Sequence, residues 1–114
     1  GKILLPGDAE LAVERELLAA GGLSDVDVLK VGHHGSKTSS SAQLLRAVTP
    51  EYAVISSGKG NWYGHPHTEV TDRLHAFGIA TLRTDEDGDI MFKSDGGKFV
   101  RELKNCFFWC GVVR

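Results

Sequence analysis

Four of the five histidines of this 114-residue chain, and one aspartate, lie in short glycine-containing turns. These turns read "PGD" with Asp8, "GHHGS" with His33 and His34, and "GHPH" with His65 and His67. Imidazole nitrogens together with a carboxylate suit zinc and, when more oxygen ligands are present, manganese. A divalent ion held at an open edge lowers the pKa of its bound water to about 7 and so supplies hydroxide at neutral pH. The residue types therefore indicate a candidate hydrolytic metal site.

Each of these signals also has a simpler structural interpretation. An aspartate before a helix is usually an N-cap, and a histidine pair in a loop is usually solvated or hydrogen-bonded within its turn. Pro66 could simply fix the "GHPH" turn, and Ser36 could close its loop or cap the next helix. The remaining candidates are exposed side chains, of which the two lysines could meet an anionic phosphate: Lys37, Lys59 and His75. The joint placement of the turns favours a site.

The elements that must position these turns alternate between strand-like and helix-like segments. Strands are predicted at residues 3–5, 26–31 and 52–56, because these runs are apolar and rich in β-branched residues. Helices are predicted at 9–20 with Asp8 as N-cap, from Ser40 to Pro50 with Gln43 completing a capping box, and at 68–77. This alternation predicts an α/β sheet whose functional loops lie beyond the strand ends, so the histidine turns should converge on one edge.

Apolar spacing within the helices predicts which residues face the core. The inward residues are expected to be Leu11, Leu17 and Leu18, then Leu44, Leu45 and Val48, and then Val70, Leu74 and Phe77. After the third helix, residues 79–83, "IMFK" and "KFVREL" resemble an antiparallel meander with two-residue turns at Asp87-Gly88 and Asp95-Gly96-Gly97.

Composition places the chain among ordinary globular proteins. Hydrophobic residues make up 41% and charged residues 25%, which excludes a disordered tail or a collagen-like repeat. The formal net charge of −2 gives no footprint for bulk nucleic-acid or membrane binding, so a nucleic acid would have to be held by a local patch or a metal. No apolar run approaches the roughly 20 residues that cross a bilayer, and no signal segment is recognisable.

The two cysteines, Cys106 and Cys110, decide nothing about function. They are either buried thiols or, in an oxidising compartment, a disulfide closed across an irregular turn. A zinc site is not indicated, because the spacing is not C-x2-C and no second ligand pair follows.

Four longer motifs carry a resemblance to a known family. "LLPGDAE", "DVLKVGHHGSKTSSS", "AVISSGKGNWYGHPHTEV" and "LRTDEDGDI" occur in the order and approximate spacing of the metallo-β-lactamase-fold domain of ComEC-type competence proteins. That family forms the membrane channel for DNA uptake in transformable bacteria. The resemblance covers about residues 3–92, and "YGHPH" with "RTDEDG" makes it more specific than "VGHHGS" alone. Pro6 stands where a threonine is commoner in the family.

The resemblance implies an α/β fold, half of an αββα sandwich with a mixed sheet and helices packed on one face. It implies a metal-dependent phosphodiesterase or nuclease that cleaves single- or double-stranded DNA with two divalent ions, zinc or manganese, and no organic cofactor. Asp8 would bridge the metals, and His33, with His34 as its competitor or neighbour, would be a ligand. The catalytic group would comprise His65 at the scissile phosphate, His67 in support, and Ser36 as a hydrogen-bond donor.

One departure from the family sets a further expectation. The principal metal motif of the superfamily, H-x-D-x-D-H, lies before the "GD" strand and does not occur in these residues. Residues 1–114 are therefore expected to be the C-terminal portion of a single metallo-β-lactamase-like domain, which alone would bind metal weakly, hydrolyse little and expose a sheet face. Its partners would be DNA and the rest of a parent chain with a membrane channel, in the inner or plasma membrane, with this domain soluble and outside the cytoplasm.

Two other functions are compatible with the same residues. The chain could belong to a metallo-β-lactamase-fold hydrolase of small phosphodiesters or lactones, which "HHGS" alone does not distinguish from a nuclease. It could also be a non-catalytic module that guides DNA or braces the channel, with degenerate metal ligands.

Overall fold

The computed structural model of the chain describes residues 1–58 and 64–102 and the backbone of residues 112–113. Its strands are β1 (Ile3–Leu4), β2 (Val28–Lys30), β3 (Tyr52–Ile55), β4 (Ala80–Arg83), β5 (Met91–Ser94), β6 (Phe99–Glu102) and β7 (Val112–Val113). Its helices are α1 (Leu11–Ala19), α2 (Ala42–Val48), α3 (Thr68–Ala76) and the short α4 (Thr84–Asp87), and a 3₁₀ turn covers Gly32–Gly35. Lys59, Cys106 and Cys110 lie outside the described residues.

The strands form two sheets. The first four strands pair in the order β1-β2-β3-β4, all parallel, with Val28 opposite Tyr52 and Tyr52 opposite Ala80. Parallel neighbours need crossover connections, and α1, α2 and α3 provide them. Strands β5, β6 and β7 form a separate antiparallel sheet.

The parallel sheet is covered on both faces. On one face, Leu29, Val31, Ala53 and Ile55 pack with side chains of the second and third helices, Leu45, Val70 and Leu74. On the other face, Val28, Tyr52 and Leu82 contact Phe92 and Phe99 of the antiparallel sheet. Helices, parallel sheet and antiparallel sheet therefore form three layers, an arrangement compatible with half of an αββα sandwich. The α/β class is confirmed, with parallel and antiparallel pairing divided between two sheets.

Helix α2 shows how local sequence sets an element. The Ser41 side chain accepts a hydrogen bond from the Leu44 amide at 3.2 Å, so Ser41 is the N-cap, one residue after the predicted start. The helix ends at Thr49, which has left-handed backbone angles, directly before Pro50. The prediction that Leu44, Leu45 and Val48 face the core is confirmed.

Helix α1 differs from its prediction. It begins at Leu11 after Glu10 rather than at Ala9, so Asp8 is not its N-cap. Leu17 is 39% exposed and was wrongly expected in the core, while the fully buried side chain of this helix is Glu14. Leu11 and Leu18 are half-buried, so the expected apolar face is present in part, and the most deeply buried side chain of the helix is a carboxylate.

The third helix and the following strands confirm part of the prediction. Helix α3 buries Val70 and Leu74, but Phe77 is 38% exposed just past its last turn. Residues 80–83 join the parallel sheet rather than a meander, because β4 pairs with β3. The β5–β6 connection has four residues, 95–98, rather than two. None of the described helices has the length or the apolar character that crossing a membrane requires.

Candidate functional site

Hydrogen bonds tie together the loops that follow the four parallel strands. The His33 amide donates to the Gly7 carbonyl at 2.8 Å, which joins the loops after β1 and β2. The His34 ring contacts the Ser56 carbonyl after β3, and the Ser57 amide donates to Thr84 Oγ1 after β4 at 2.9 Å. The predicted convergence of these turns on the carboxyl edge of the sheet is therefore present in the backbone.

The histidine turn after β2 has an unusual backbone. His33 and His34 both have left-handed angles, with φ of 49° and 54°, and Gly35 follows at φ +82°. Left-handed conformations cost non-glycine residues roughly 1 kcal/mol or more each, so the surrounding contacts must hold the turn in place.

Gly35 permits the two histidine loops to meet. A Cβ atom at this position would lie 2.6 Å from Pro66 Cβ and 3.0 Å from Pro66 Cα. The Gly35 carbonyl also accepts a hydrogen bond from the His67 amide at 2.9 Å. The absence of a side chain at residue 35 is thus what lets the "GHPH" loop pack onto the "HHGS" loop.

The orientation of the His34 ring is fixed by one hydrogen bond. Its Nδ1 atom lies 2.8 Å from the Ser56 carbonyl oxygen. A carbonyl can only accept, so Nδ1 carries the proton and, in the neutral ring, Nε2 holds the lone pair. Such a bond to a backbone carbonyl is the usual device that orients a metal-ligating histidine.

The Nδ1 atom of the His33 ring is buried and forms no hydrogen bond. Its Nδ1 atom is 3.3 Å from Glu10 Oε1, within ion-pair distance. The geometry does not complete a hydrogen bond, so the buried Nδ1 has no hydrogen-bond partner. Buried polar atoms of this kind are uncommon and point to a functional requirement.

His65 and His67 stand beside this pair. The His65 ring centroid lies 5.8 Å from that of His33, 6.4 Å from that of His34 and 4.8 Å from that of His67. Burial, followed by the charges of His67, His33 and His34, lowers the pKa of His65. The Lys37 amide donates to His67 Nδ1 at 2.8 Å, so the neutral His67 ring carries its proton on Nε2.

The structure places the other two predicted site residues differently. Ser36 is 5% exposed and its hydroxyl lies 2.9 Å from Thr38 Oγ1, within its own turn. Asp8 is exposed beside Gly7, and within the described residues no hydrogen bond or ion pair joins its carboxylate to a histidine ring. Nor do the described residues contain three histidine, cysteine or acidic side chains grouped to hold an ion. The four imidazoles are brought together, whereas Asp8 and Ser36 are not shown to join them.

Several residues of this edge were missed by sequence reasoning. Glu10 contacts His33, and Ser57 and Thr84 exchange hydrogen bonds, with Thr84 Oγ1 donating to the Ser57 carbonyl at 3.0 Å. The Ser57 hydroxyl in turn donates to the His65 carbonyl at 2.9 Å. The threonine within "RTDEDG" was the available signal, since that motif directly follows a strand of the sheet.

An acidic cluster completes the loop after β4. The Arg83 guanidinium donates to both Asp85 carboxylate oxygens, at 3.0 and 2.7 Å, and its Nη1 lies 2.8 Å from Glu86 Oε1. The hydrogen bond to Asp85, with the neighbouring acidic charges, raises the pKa of Arg83. These contacts hold the short helix that carries Thr84 to the edge.

Together these features define an α/β domain whose parallel sheet carries a histidine-rich carboxyl edge. No family model matches the chain. Competence protein ComA of Neisseria gonorrhoeae is 44% identical over 110 residues, which are 94% of this chain and 16% of that protein. ComE operon protein 3 of Bacillus subtilis is 42% identical over 79% of this chain and 12% of that protein. Recombination protein 2 of Haemophilus influenzae is 47% identical over 77% of this chain and 11% of that protein.

These similarities support a relationship to ComEC-type competence proteins. The chain spans only 11% to 16% of the length of these three relatives.

Proposed function

We propose that this chain is part of a competence protein for DNA uptake and contributes imidazole ligands to a metal-dependent phosphodiesterase. The relatives support the first half of the proposal, since two of the three are named for competence or its operon. The observation that supports the second half is the His34 ring, held through Nδ1 by the Ser56 carbonyl, which leaves the lone pair that would bind a metal on Nε2.

The residues of this edge fit part of a coordination sphere. The neutral Nε2 of His34 and a ring nitrogen of His33 would be borderline-soft nitrogen donors, which suit zinc and accept manganese. A catalytic zinc needs about three protein ligands and an open position. Because the described residues hold no group of three such ligands, we expect the 114-residue chain alone to bind a divalent ion weakly and to hydrolyse little.

The metal would activate water for attack on a phosphodiester. The chain's own residues would bind and orient the substrate beside it. His65, within 7 Å of the other three rings, would contact the scissile phosphate, and His67, held through Nδ1 by the Lys37 amide, would support it. In this proposal Asp8 reaches the metal only if its exposed side chain turns toward the histidine turn beside it.

The whole protein would bring further partners. DNA would be the substrate, the remainder of a longer parent chain would supply the missing ligands and the channel, and the setting would be the cell membrane. The metallo-β-lactamase fold of the complete domain and the position of this part outside the cytoplasm belong to the same proposal.

Two measurements test the function. In the first, zinc or manganese is titrated into the 114-residue chain by calorimetry, comparing wild type with His34→Ala and with His75→Ala. His75 is an exposed histidine of α3, so its removal controls for nonspecific binding to imidazole. In the second, the longer natural chain is incubated with single- and double-stranded oligonucleotides and either metal.

The proposal expects His34→Ala to weaken metal binding at least tenfold and to abolish cleavage, with His75→Ala unchanged. Full cleavage by His34→Ala would overturn the site. Turnover of a chromogenic bis-phosphodiester without cleavage of DNA would show that the domain is a hydrolase of small substrates rather than a nuclease. DNA binding with no hydrolysis of either substrate would show that the domain is a non-catalytic module that guides DNA.

A further inference from the structure

A cavity lies beside the loop that carries His33 and His34, where Lys37 of that loop lines it. It has a volume of about 300 Å³ and is lined by three basic residues, Arg15 of α1, Lys37 of the histidine loop and Arg73 of α3, together with Ser41 and Gln43. This volume is at the lower end of the roughly 300–1,000 Å³ of ligand pockets, which suits a small polar group.

The charge of this cavity is one-sided. In the part of the chain that the structure describes, no acidic side chain lines it. The ion pairs among the described residues involve His33, Arg83 and Lys93, and none involves Arg15, Lys37 or Arg73. Three cations that line one cavity and form no ion pair with an acidic side chain repel one another, so the arrangement favours an anion between them. The net charge of the chain is −2, so this concentration of positive charge is local.

The acidic residue beside this cavity, Glu14, is hydrogen-bonded inside the protein and does not pair with the three cations. The Glu14 carboxylate is 1% exposed and accepts hydrogen bonds from the Ser40 and Ser41 amides. Arg73 Nη1 donates to the Ser40 carbonyl at 2.9 Å, which anchors its guanidinium beside the cavity. Glu14 therefore braces the cavity wall from inside, while Arg73 is held in place by a backbone contact rather than by an ion pair.

One backbone link joins this cavity to the histidine edge. The amide of Lys37 donates to His67 Nδ1 at 2.8 Å, while Lys37 itself lines the cavity. The cavity residue Lys37 is therefore in direct contact with His67 of the histidine edge.

We propose that this cavity, which we call the basic pocket (Arg15, Lys37 and Arg73), is a phosphate subsite for the backbone of a nucleic-acid strand. The inference rests on the proposed function, because it names where the substrate is held outside the reacting centre. Phosphate contacts of this kind position a strand without reading its sequence.

Binding without cleavage tests the basic pocket. A fluorescein-labelled single-stranded oligonucleotide is titrated with the full 114-residue chain in EDTA, by anisotropy over a series of salt concentrations. The variant Arg15→Gln/Lys37→Gln removes two cations from the pocket and leaves Arg73, whose hydrogen bond to Ser40 supports the fold. The matched control, Arg46→Gln/Lys98→Gln, removes two exposed cations elsewhere. Circular dichroism verifies that each variant is folded.

The pocket variant should weaken binding roughly tenfold at low salt and reduce the slope of log K against log salt by about 1.4, which corresponds to two phosphate contacts on a single strand. The control should change neither. An abasic oligonucleotide should bind as well as the normal one, and inorganic phosphate alone should compete poorly. Equal affinity of wild type and pocket variant, or equal losses in pocket variant and control, would overturn the subsite. Full competition by inorganic phosphate would assign the pocket to the free ion instead.

The failure of this inference is distinguishable from that of the proposed function. In a zinc titration the pocket variant should bind the metal like the wild type, whereas His34→Ala should lose metal binding. An unchanged pocket variant beside a metal-deficient His34→Ala would refute only the subsite. A weakened pocket variant beside a His34→Ala that still binds metal would refute only the metal site.

Discussion

The helix-covered face and the carboxyl edge of the same parallel sheet are built from different interactions. On the face, aliphatic side chains such as Leu29, Ile55 and Leu74 are fully buried against one another. At the edge, loops are joined by single polar contacts, such as the His33 amide on the Gly7 carbonyl and the His34 ring on the Ser56 carbonyl. The face contributes most of the stability, and the edge sets the directions of a few nitrogen atoms.

Because of this difference, the helix-covered face and the carboxyl edge should respond differently to mutation. Buried aliphatic groups contribute about 1.5–3 kcal/mol each, whereas one hydrogen bond contributes only about 0.5–1.5 kcal/mol net. The edge can therefore hold two histidines in left-handed conformations only because the face beneath it is stable. Variants of the face should cost stability, and variants of the edge should cost binding.

The largest effect is expected in the core. Leu74→Ala should lower the free energy of unfolding by about 2–5 kcal/mol, because its side chain is completely buried between α3 and the sheet. Urea denaturation measures this loss, with Leu17→Ala of the exposed side of α1 as the control at under about 1 kcal/mol. Equal losses in the two variants would mean that the face does not carry the stability.

A second variant tests the close approach at the edge. Gly35→Ala brings a Cβ within 2.6 Å of Pro66 and adds strain at φ +82°, so it should cost about 1–3 kcal/mol more than a strained but uncrowded glycine. Gly78→Ala is that control, because its φ is +71° and nothing lies within 4 Å of the added atom. Matching unfolding midpoints for both alanine variants would show that the two histidine loops do not pack as described.

The third variant tests a polar contact that supports the edge from below. Glu14→Gln replaces one carboxylate oxygen by a donor, so one of the two amides at Ser40 and Ser41 loses its acceptor. The expected loss is about 1–3 kcal/mol, the cost of a buried unsatisfied donor. Hydrogen exchange at those two amides should accelerate, while Glu16→Gln on the exposed side of the same helix should leave it unchanged. Unaltered exchange in Glu14→Gln would show that this carboxylate does not hold the loop.

The sequence predicts the fold where the information is local. The order of strands and helices through α3 follows from periodicity and caps, and Leu44, Leu45 and Val48 are buried as expected. The prediction fails where a tertiary contact overrides the pattern. Leu17 is 39% exposed while Glu14 of the same helix is buried, and residues 80–83 pair with β3, the strand before α3, rather than with the residues that follow them.

The sequence likewise predicts one part of the candidate site, the meeting of the turns, but not the orientation of the rings. Glycine-flanked histidines after successive strands correctly predict that the turns meet at one edge, since strand ends of a parallel sheet share an edge. Their ring orientations are not predictable from the sequence, because they depend on left-handed angles at residues 33 and 34 and on a carbonyl more than twenty residues away. Whether Asp8 joins the rings stays a prediction.

The histidine tautomers provide the most direct test of the central claim, that this edge presents an imidazole nitrogen to a metal. A long-range ¹H–¹⁵N correlation spectrum of the ¹⁵N-labelled chain, recorded where the rings are neutral and then with zinc added, reports the protonated nitrogen of each ring. The structure predicts the proton of His34 on Nδ1 and that of His67 on Nε2, and zinc should shift the Nε2 signal of His34. A His34 ring protonated on Nε2, or an Nε2 signal that zinc leaves in place, would contradict the account.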